Sequence, residues 1–166
     1  MNPQYRLHTF SNSTINEVEL QSIYNLNQAN TPEVGSLESM QHLKQLIEFS
    51  SYNLLVLKED GIVGFIICMR EGSAYWSENY KFFTKRLKKF LYVDRVAIDE
   101  HYRRAGLGQA IYENIFSQAS NDSLPIALEV NTQPVNQPSL NFHEKMGFDQ
   151  VGNKDFDDHS VAYFIK

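Results

Sequence analysis

Apolar positions change their period several times along this chain, and each change marks an element. Tyr5 to Phe10 can start as a strand. Thr14-Ile15-Asn16-Glu17 reads as a capping box, opening a helix that carries Val18, Ile23 and Leu26. Asn30-Thr31-Pro32-Glu33 breaks that helix, and Ser36 caps a second with Leu43, Leu46 and Ile47 inward. Asn53 to Lys58 and Ile62 to Met69 flank Glu59-Asp60-Gly61, which predicts a β-hairpin with Asp-Gly in its turn. Phe90 to Ile98 is β-branched and aromatic enough for a buried strand. Leu107, Ile111, Ile115 and Ala119 then recur every four residues beside Ala110, giving a helix with one apolar face. Leu128-Glu129-Val130-Asn131 closes another strand, a helix begins near Pro138 and Ser139, and Phe148 to Lys154 and Ser160 to Lys166 close the chain as strands. The order is strand, two helices, hairpin, strand, helix, strand, helix and two strands.

The connection between Arg70 and Lys89 is longer than a hairpin turn, and long connections in compact domains are often functional. Two readings stand side by side. Tyr75, Trp76, Tyr80, Phe82 and Phe83 wall an acceptor pocket, with the five nearby lysines and arginines meeting an anionic acceptor. Alternatively, a short amphipathic helix packs its aromatics on the sheet edge and leaves its basic face in water.

Composition narrows the class. Residues 1–166 make one domain, long enough for a core without staples. The single cysteine, Cys68, sits in an apolar run and reads as a buried small hydrophobe rather than a nucleophile. It forms no disulfide within the chain, which fits a reducing cytoplasm. Met1 to Arg6 lacks the apolar core of a secretion signal, and no apolar run reaches membrane-spanning length. A net charge of −5 disfavours a nucleic-acid partner. His8, His42, His101, His143 and His159 are scattered, so no metal-ligand spacing is expected.

The most specific chemistry lies in Arg103-Arg104-Ala105-Gly106-Leu107-Gly108, between a strand pattern and a helix pattern. A glycine-bearing turn at a helix start offers unpaired N–H groups and the positive end of a dipole, which suits phosphate. A dinucleotide turn needs a third glycine where this chain has Ile111, and the G-x-x-x-x-G-K-[ST] loop is absent. What remains is R-x-x-G-x-G. With its flanking strand and helix, it resembles the pyrophosphate-binding motif of the GNAT superfamily of N-acetyltransferases. Asn136-Gln137-Pro138-Ser139-Leu140-Asn141-Phe142-His143-Glu144-Lys145-Met146-Gly147-Phe148 resembles a second segment of that superfamily, roughly N-x-x-A-x-x-F-Y-E-K-x-G-F. Asn136, Phe142, Glu144, Lys145, Gly147 and Phe148 match in register.

The resemblance implies an α/β fold: a GNAT-like mixed, mostly antiparallel sheet of about seven strands flanked by about four helices. It implies acetyl-CoA as acyl donor and an amine of a small molecule or peptide as acceptor, joined by direct attack without a metal. The loop amides from Arg104 to Gly108 would hold the pyrophosphate, with Arg103 and Arg104 adding charge. Backbone groups of Val96, Ala97 and Ile98 would pair with the pantetheine arm, and an N–H near Val96 would polarise the thioester oxygen. Asn136 suits either the pantetheine chain or a helix N-cap. Homodimers are common in the fold, but no interface is legible.

Two proton transfers are required. Glu129 and Asp94 are the candidate bases; an ion pair with Arg95 is the simpler account of Asp94. The superfamily often places a tyrosine acid where this chain has His143, which can donate a proton near neutrality. Otherwise His143 is a helix-surface histidine, with a tyrosine such as Tyr92 or Tyr102 serving instead or with no side-chain acid at all. Two other functions compete with transfer: a non-catalytic acyl-CoA sensor that keeps the phosphate turn, and a nucleotide-binding module.

Overall fold

Four adjacent strands carry the molecule: β2 (Tyr52–Lys58), β3 (Gly61–Arg70), β4 (Leu91–Ile98) and β5 (Ile126–Gln133). β1 (Arg6–Thr9) is the edge on one side; on the other, β7 (Ser160–Ile165) pairs with β5 and β6 (Asp149–Asp155) is the edge. The sheet order is β1-β2-β3-β4-β5-β7-β6. Every pairing is antiparallel except β4 with β5. A computed structural model describes residues 4–59 and 61–166. Met1, Asn2 and Pro3, part of the stretch read for a secretion signal, and Asp60 of the expected hairpin turn lie outside the described residues.

Helices α1 (Glu17–Ala29), α2 (Met40–Phe49) and α3 (Glu78–Thr84) contribute to one core layer, and α4 (Leu107–Asn121) and α5 (Gln137–Lys145) to the other. Alternation along the central strands divides the core. Phe65, Ile67, Tyr92 and Ala127 face the first layer, while Ile66, Cys68, Val93 and Leu128 face the second. Cys68 is fully buried, which leaves its thiol out of reach of solvent.

Three expectations shift. The α1 capping box uses Asn16 and Glu19: Asn16 Oδ1 accepts the Glu19 N–H at 2.8 Å, and Glu19 Oε2 accepts the Asn16 N–H at 3.1 Å. This register turns Val18 outward, 78% exposed. Ser39, not Ser36, caps α2 by accepting the His42 N–H at 3.1 Å. The Arg70–Lys89 connection contains a fifth helix, α3, which buries Tyr80 and Phe83 against the sheet. Phe82 stacks on Tyr163 at 3.8 Å between centroids. Those rings are core, so the helical reading of the segment describes it better than the pocket wall.

Candidate active site

Among the described residues, β4 and β5 pair only at Leu91–Ile126 and Tyr92–Ala127. Beyond Tyr92 the two strands part. β4 stays in register with β3 on its other side, with one extra residue at Asp94, where Cys68 faces Val93 and Ile67 faces Arg95. A parallel pair that separates leaves main-chain donors and acceptors of both strands facing the gap. The gap opens into a cleft of 790 Å³ whose walls include Val96, Ala97, Ile98, Glu129 and Asn131.

At one end of the cleft stands the start of α4. Gly106 is its N-cap, with φ +80°, a left-handed conformation that disfavours any side chain. No side chain caps this end, so its first N–H groups are presented as an anion would need them. Arg103 and Gly108 line the cleft, while Arg104, Ala105, Gly106 and Leu107 form the turn between them. Leu107 points into the second core layer, so only its backbone is available to a ligand. Arg104 and Ala105 are exposed. Arg103 turns toward the protein: its Nη2 donates to Asn30 Oδ1 at 2.6 Å and its Nε to the Ile98 carbonyl at 3.4 Å.

Glu129 projects from β5 toward the α1–α3 side. Its Oε2 accepts the Tyr92 hydroxyl at 2.7 Å, and its Oε1 accepts Tyr92 at 3.0 Å and Asn79 Nδ2 at 3.3 Å. Asn79 is held in turn by the Tyr163 hydroxyl, which donates to its Oδ1 at 2.8 Å. Burial disfavours the charged carboxylate and pushes its pKa up to about 8, against the stabilising hydrogen bond from Tyr92 and with help from the nearby Asp94 charge. Asp94 lies differently. Its Oδ2 accepts Arg95 Nε at 2.8 Å and its Oδ1 accepts the Tyr75 hydroxyl at 2.6 Å. The two side chains of this ion pair are only 4% and 7% exposed.

On the opposite face, His143 is 5% exposed and both its ring nitrogens have partners. Nδ1 lies 2.8 Å from the Ser139 carbonyl and Nε2 lies 2.8 Å from the Tyr112 hydroxyl. Burial lowers its pKa below the ordinary histidine value, opposed by the Ser139 carbonyl. His143 therefore rests neutral at pH 7. Tyr92, one alternative acid, is committed to Glu129 on the other face; Tyr102 sits under Lys58, 4.8 Å from its ring. Asn136 caps α5, accepting the Ser139 N–H at 3.3 Å, and also lines the cleft.

The mouth is closed on one side by the 30–36 loop between α1 and α2. Arg95 Nη1 donates to Asn27 Oδ1 at 2.9 Å and the Gly35 carbonyl at 3.2 Å, and Asn131 Nδ2 donates to the Pro32 carbonyl at 3.2 Å. Three residues in the site were not singled out from sequence. Tyr112 sits beside the apolar stripe of α4, Asn79 lies within an aromatic run, and Tyr163 looks like any strand aromatic. No local signal separates them from core positions.

A sheet split by two diverging parallel strands, with an uncapped glycine turn at one end and a protonatable carboxylate beside the split, is a mixed α/β architecture whose cleft suits a phosphate-bearing ligand. The chain belongs to the acetyltransferase (GNAT) family, whose model matches residues 20–148. Solved structures share the fold along nearly the whole chain. Ard1 from Thermoplasma volcanium is 19% identical with a TM-score of 0.72, covering 98% of this chain and 97% of that one. The ribosomal-protein-S18-alanine N-acetyltransferase from Escherichia coli is 15% identical with a TM-score of 0.68, covering 96% and 92%. A chain of the NatC complex bound to Gag peptide and CoA is 18% identical with a TM-score of 0.71, covering 98% and 97%. A search of curated protein sequences finds no match.

Proposed function

We propose that this chain is an acetyl-CoA-dependent N-acetyltransferase in which an amine of a small molecule or peptide attacks the thioester directly. In this reading the pyrophosphate sits on the amides of the Arg104–Gly108 turn, and the pantetheine arm lies in the gap along Val96, Ala97 and Ile98. The unpaired β4 edge then binds the arm as a strand would, and an N–H near Val96 faces the thioester oxygen. The observation that carries the proposal is the position of Glu129, half-buried beside the gap with a pKa of about 8. A base tuned near the operating pH suits removal of a proton from an ammonium group.

Asp94 is the weaker candidate, because Arg95 and Tyr75 already engage both its oxygens. Peptide acceptors are supported by the NatC structure, whose complex contains both peptide and CoA. The 30–36 loop and the β6–β7 turn at Asp158 and His159 leave the mouth open between them.

The test is thiol release from acetyl-CoA across a panel of amines and amino-terminal peptides. Turnover that falls by about 10²-fold or more in Glu129→Gln supports the reading. Tight acetyl-CoA binding with no thiol release for any acceptor would instead mark an acyl-CoA sensor.

A further inference from the structure

An acetyl transfer that uses Glu129 as base still leaves a thiolate without a proton. The following step rests on the acetyltransferase reading above. Glu129 and Tyr92 lie on the α1–α3 face of the gap, while Tyr112 and His143 lie on the α4–α5 face. A thioester lying in the gap would therefore meet a base on one side and a hydroxyl on the other. Tyr112 is 2% exposed, yet it lines the cleft. Its ring is fixed edge-on by Phe142, His143 and Phe148, with centroids 5.3, 5.2 and 5.9 Å away.

Ser139 offers His143 Nδ1 two partners of opposite sense. Its carbonyl lies at 2.8 Å and its hydroxyl at 3.2 Å. With the proton on Nδ1, the carbonyl accepts it, and Nε2 takes the Tyr112 proton away from the cleft. With the proton on Nε2, the 2.8 Å bond to the Ser139 carbonyl is given up, the Ser139 hydroxyl donates to Nδ1 in its place, and the imidazole donates to the Tyr112 oxygen. The phenolic O–H is then free to point into the cleft. Only this second tautomer presents an acid to the sulfur.

We propose that Tyr112 protonates the departing thiolate and that His143 is its positioning residue, which switches from the Ser139 carbonyl to the Ser139 hydroxyl as its proton moves to Nε2. As the carbon–sulfur bond breaks, its electron pair goes to sulfur, and sulfur takes the Tyr112 hydroxyl proton. The phenolate left behind accepts the hydrogen bond from His143 Nε2–H and regains a proton from water in the open cleft. The acid is thus moved from α5, where the superfamily often has a tyrosine, to α4. His143 itself offers no free nitrogen to the sulfur.

The titratable groups facing Tyr112 are His143 from α5, Cys68 from β3 and Glu129 from β5. Burial raises its pKa, and Cys68 and Glu129 push it further in the same direction. A phenolate here needs a donor, and the Nε2–H of His143 supplies one. Burial also keeps His143 neutral, so its tautomers are the operating states.

The test measures kcat with acetyl-CoA and an accepted amine, beside CoA affinity by calorimetry. Tyr112→Phe is expected to lower kcat by about 10²-fold while CoA affinity stays within about twofold. His143→Gln is expected to lower kcat in the parent enzyme but to have no further effect in Tyr112→Phe, because it acts only through that hydroxyl. If Tyr112→Phe fails to fold, 3,5-difluorotyrosine at 112 keeps the hydroxyl and makes it more acidic. It should bring an alkaline fall in kcat into the measurable range. An undiminished kcat in Tyr112→Phe, additive losses in the double variant, or an unmoved alkaline limb would overturn the assignment and leave the acetyltransferase reading standing. Absence of thiol release by the parent protein would overturn both.

Discussion

Arg103 donates to Asn30 at 2.6 Å, tying the turn before α4 to the loop that follows α1. A guanidinium that the proposed pyrophosphate site could recruit is committed instead to the mouth of the cleft. In the proposed reading, the donor end and the acceptor end of the cleft are thereby joined by one side chain. Arg103→Ala should loosen the 30–36 loop and raise KM for the amine several-fold, more than KM for acetyl-CoA. Two-substrate kinetics separate the constants. A larger effect on acetyl-CoA would show that Arg103 leaves Asn30 for phosphate when the donor binds.

Gly106 makes a different demand. Its φ of +80° excludes a relaxed side chain, and nothing lies within 4 Å of where its Cβ would be. That open space adjoins the uncapped N–H groups of α4. Gly106→Ala should cost about 1 kcal/mol of stability from backbone strain and raise KM for acetyl-CoA. Gly108→Ala is the control: its Cβ would make ordinary contacts at 3.5 Å with Phe142 and 3.6 Å with Ile98, inside the protein. Equal effects of both substitutions on KM would remove the Gly106 space from the phosphate site.

Why does the sequence mark the turn before α4 so clearly and the side chains around the cleft only in part? The proposed phosphate turn is a backbone device. It requires residues without side chains at fixed offsets from a helix start, so Gly106 and Gly108 leave a pattern. Asn136 and Gly147 mark the two ends of α5 for similar reasons, as N-cap and as a left-handed residue with φ +90°. Glu129 was visible as an acid interrupting a buried strand. Tyr112 carries no such mark, because an aromatic beside the apolar stripe of a helix is also what a core needs. Its partner His143 is 31 residues away and reaches it only when α5 packs beside α4. Asn79 is 50 residues from Glu129 and meets it only because α3 crosses the sheet there. The fifth helix was hidden for a related reason: α3 has seven residues, too few for a helical period to stand out from an aromatic cluster.

Glu129 also links stability to pH. Its folded pKa is raised from 4.5 to about 8, so below 4.5 it is protonated in both folded and unfolded chains and the linkage vanishes. As pH rises from 4.5 toward 8, the unfolded chain releases this proton while the folded chain retains it. Stability from this group therefore falls across that window and levels off above it. Glu129→Gln should show a gain in Tm over the parent that grows from pH 5 to pH 8. Parallel melting curves at several pH values give the difference directly. A gap that stays constant or shrinks would mean that the carboxylate is not held against ionisation by burial.

The buried pair of Asp94 and Arg95 gives the sharpest separation of structural from catalytic charge. Arg95 reaches three acceptors at once: Asp94, Asn27 and the Gly35 carbonyl. Arg95→Met would fill similar space but leave the Asp94 carboxylate buried with only the Tyr75 hydroxyl as partner. Breaking such a pair on one side costs about 3–5 kcal/mol, since the remaining charge is uncompensated. Adding Asp94→Asn removes that charge while preserving an oxygen for Tyr75. The double variant should recover much of the loss in chemical denaturation, although the 30–36 loop stays without its guanidinium. If Asp94 were the proton acceptor, the stabilised double variant would lose thiol release by the 10²-fold or more that removal of a general base brings. With Glu129 in that role, the double variant keeps most of its kcat and shows its defect in KM for the amine, through the loop that Arg95 no longer holds.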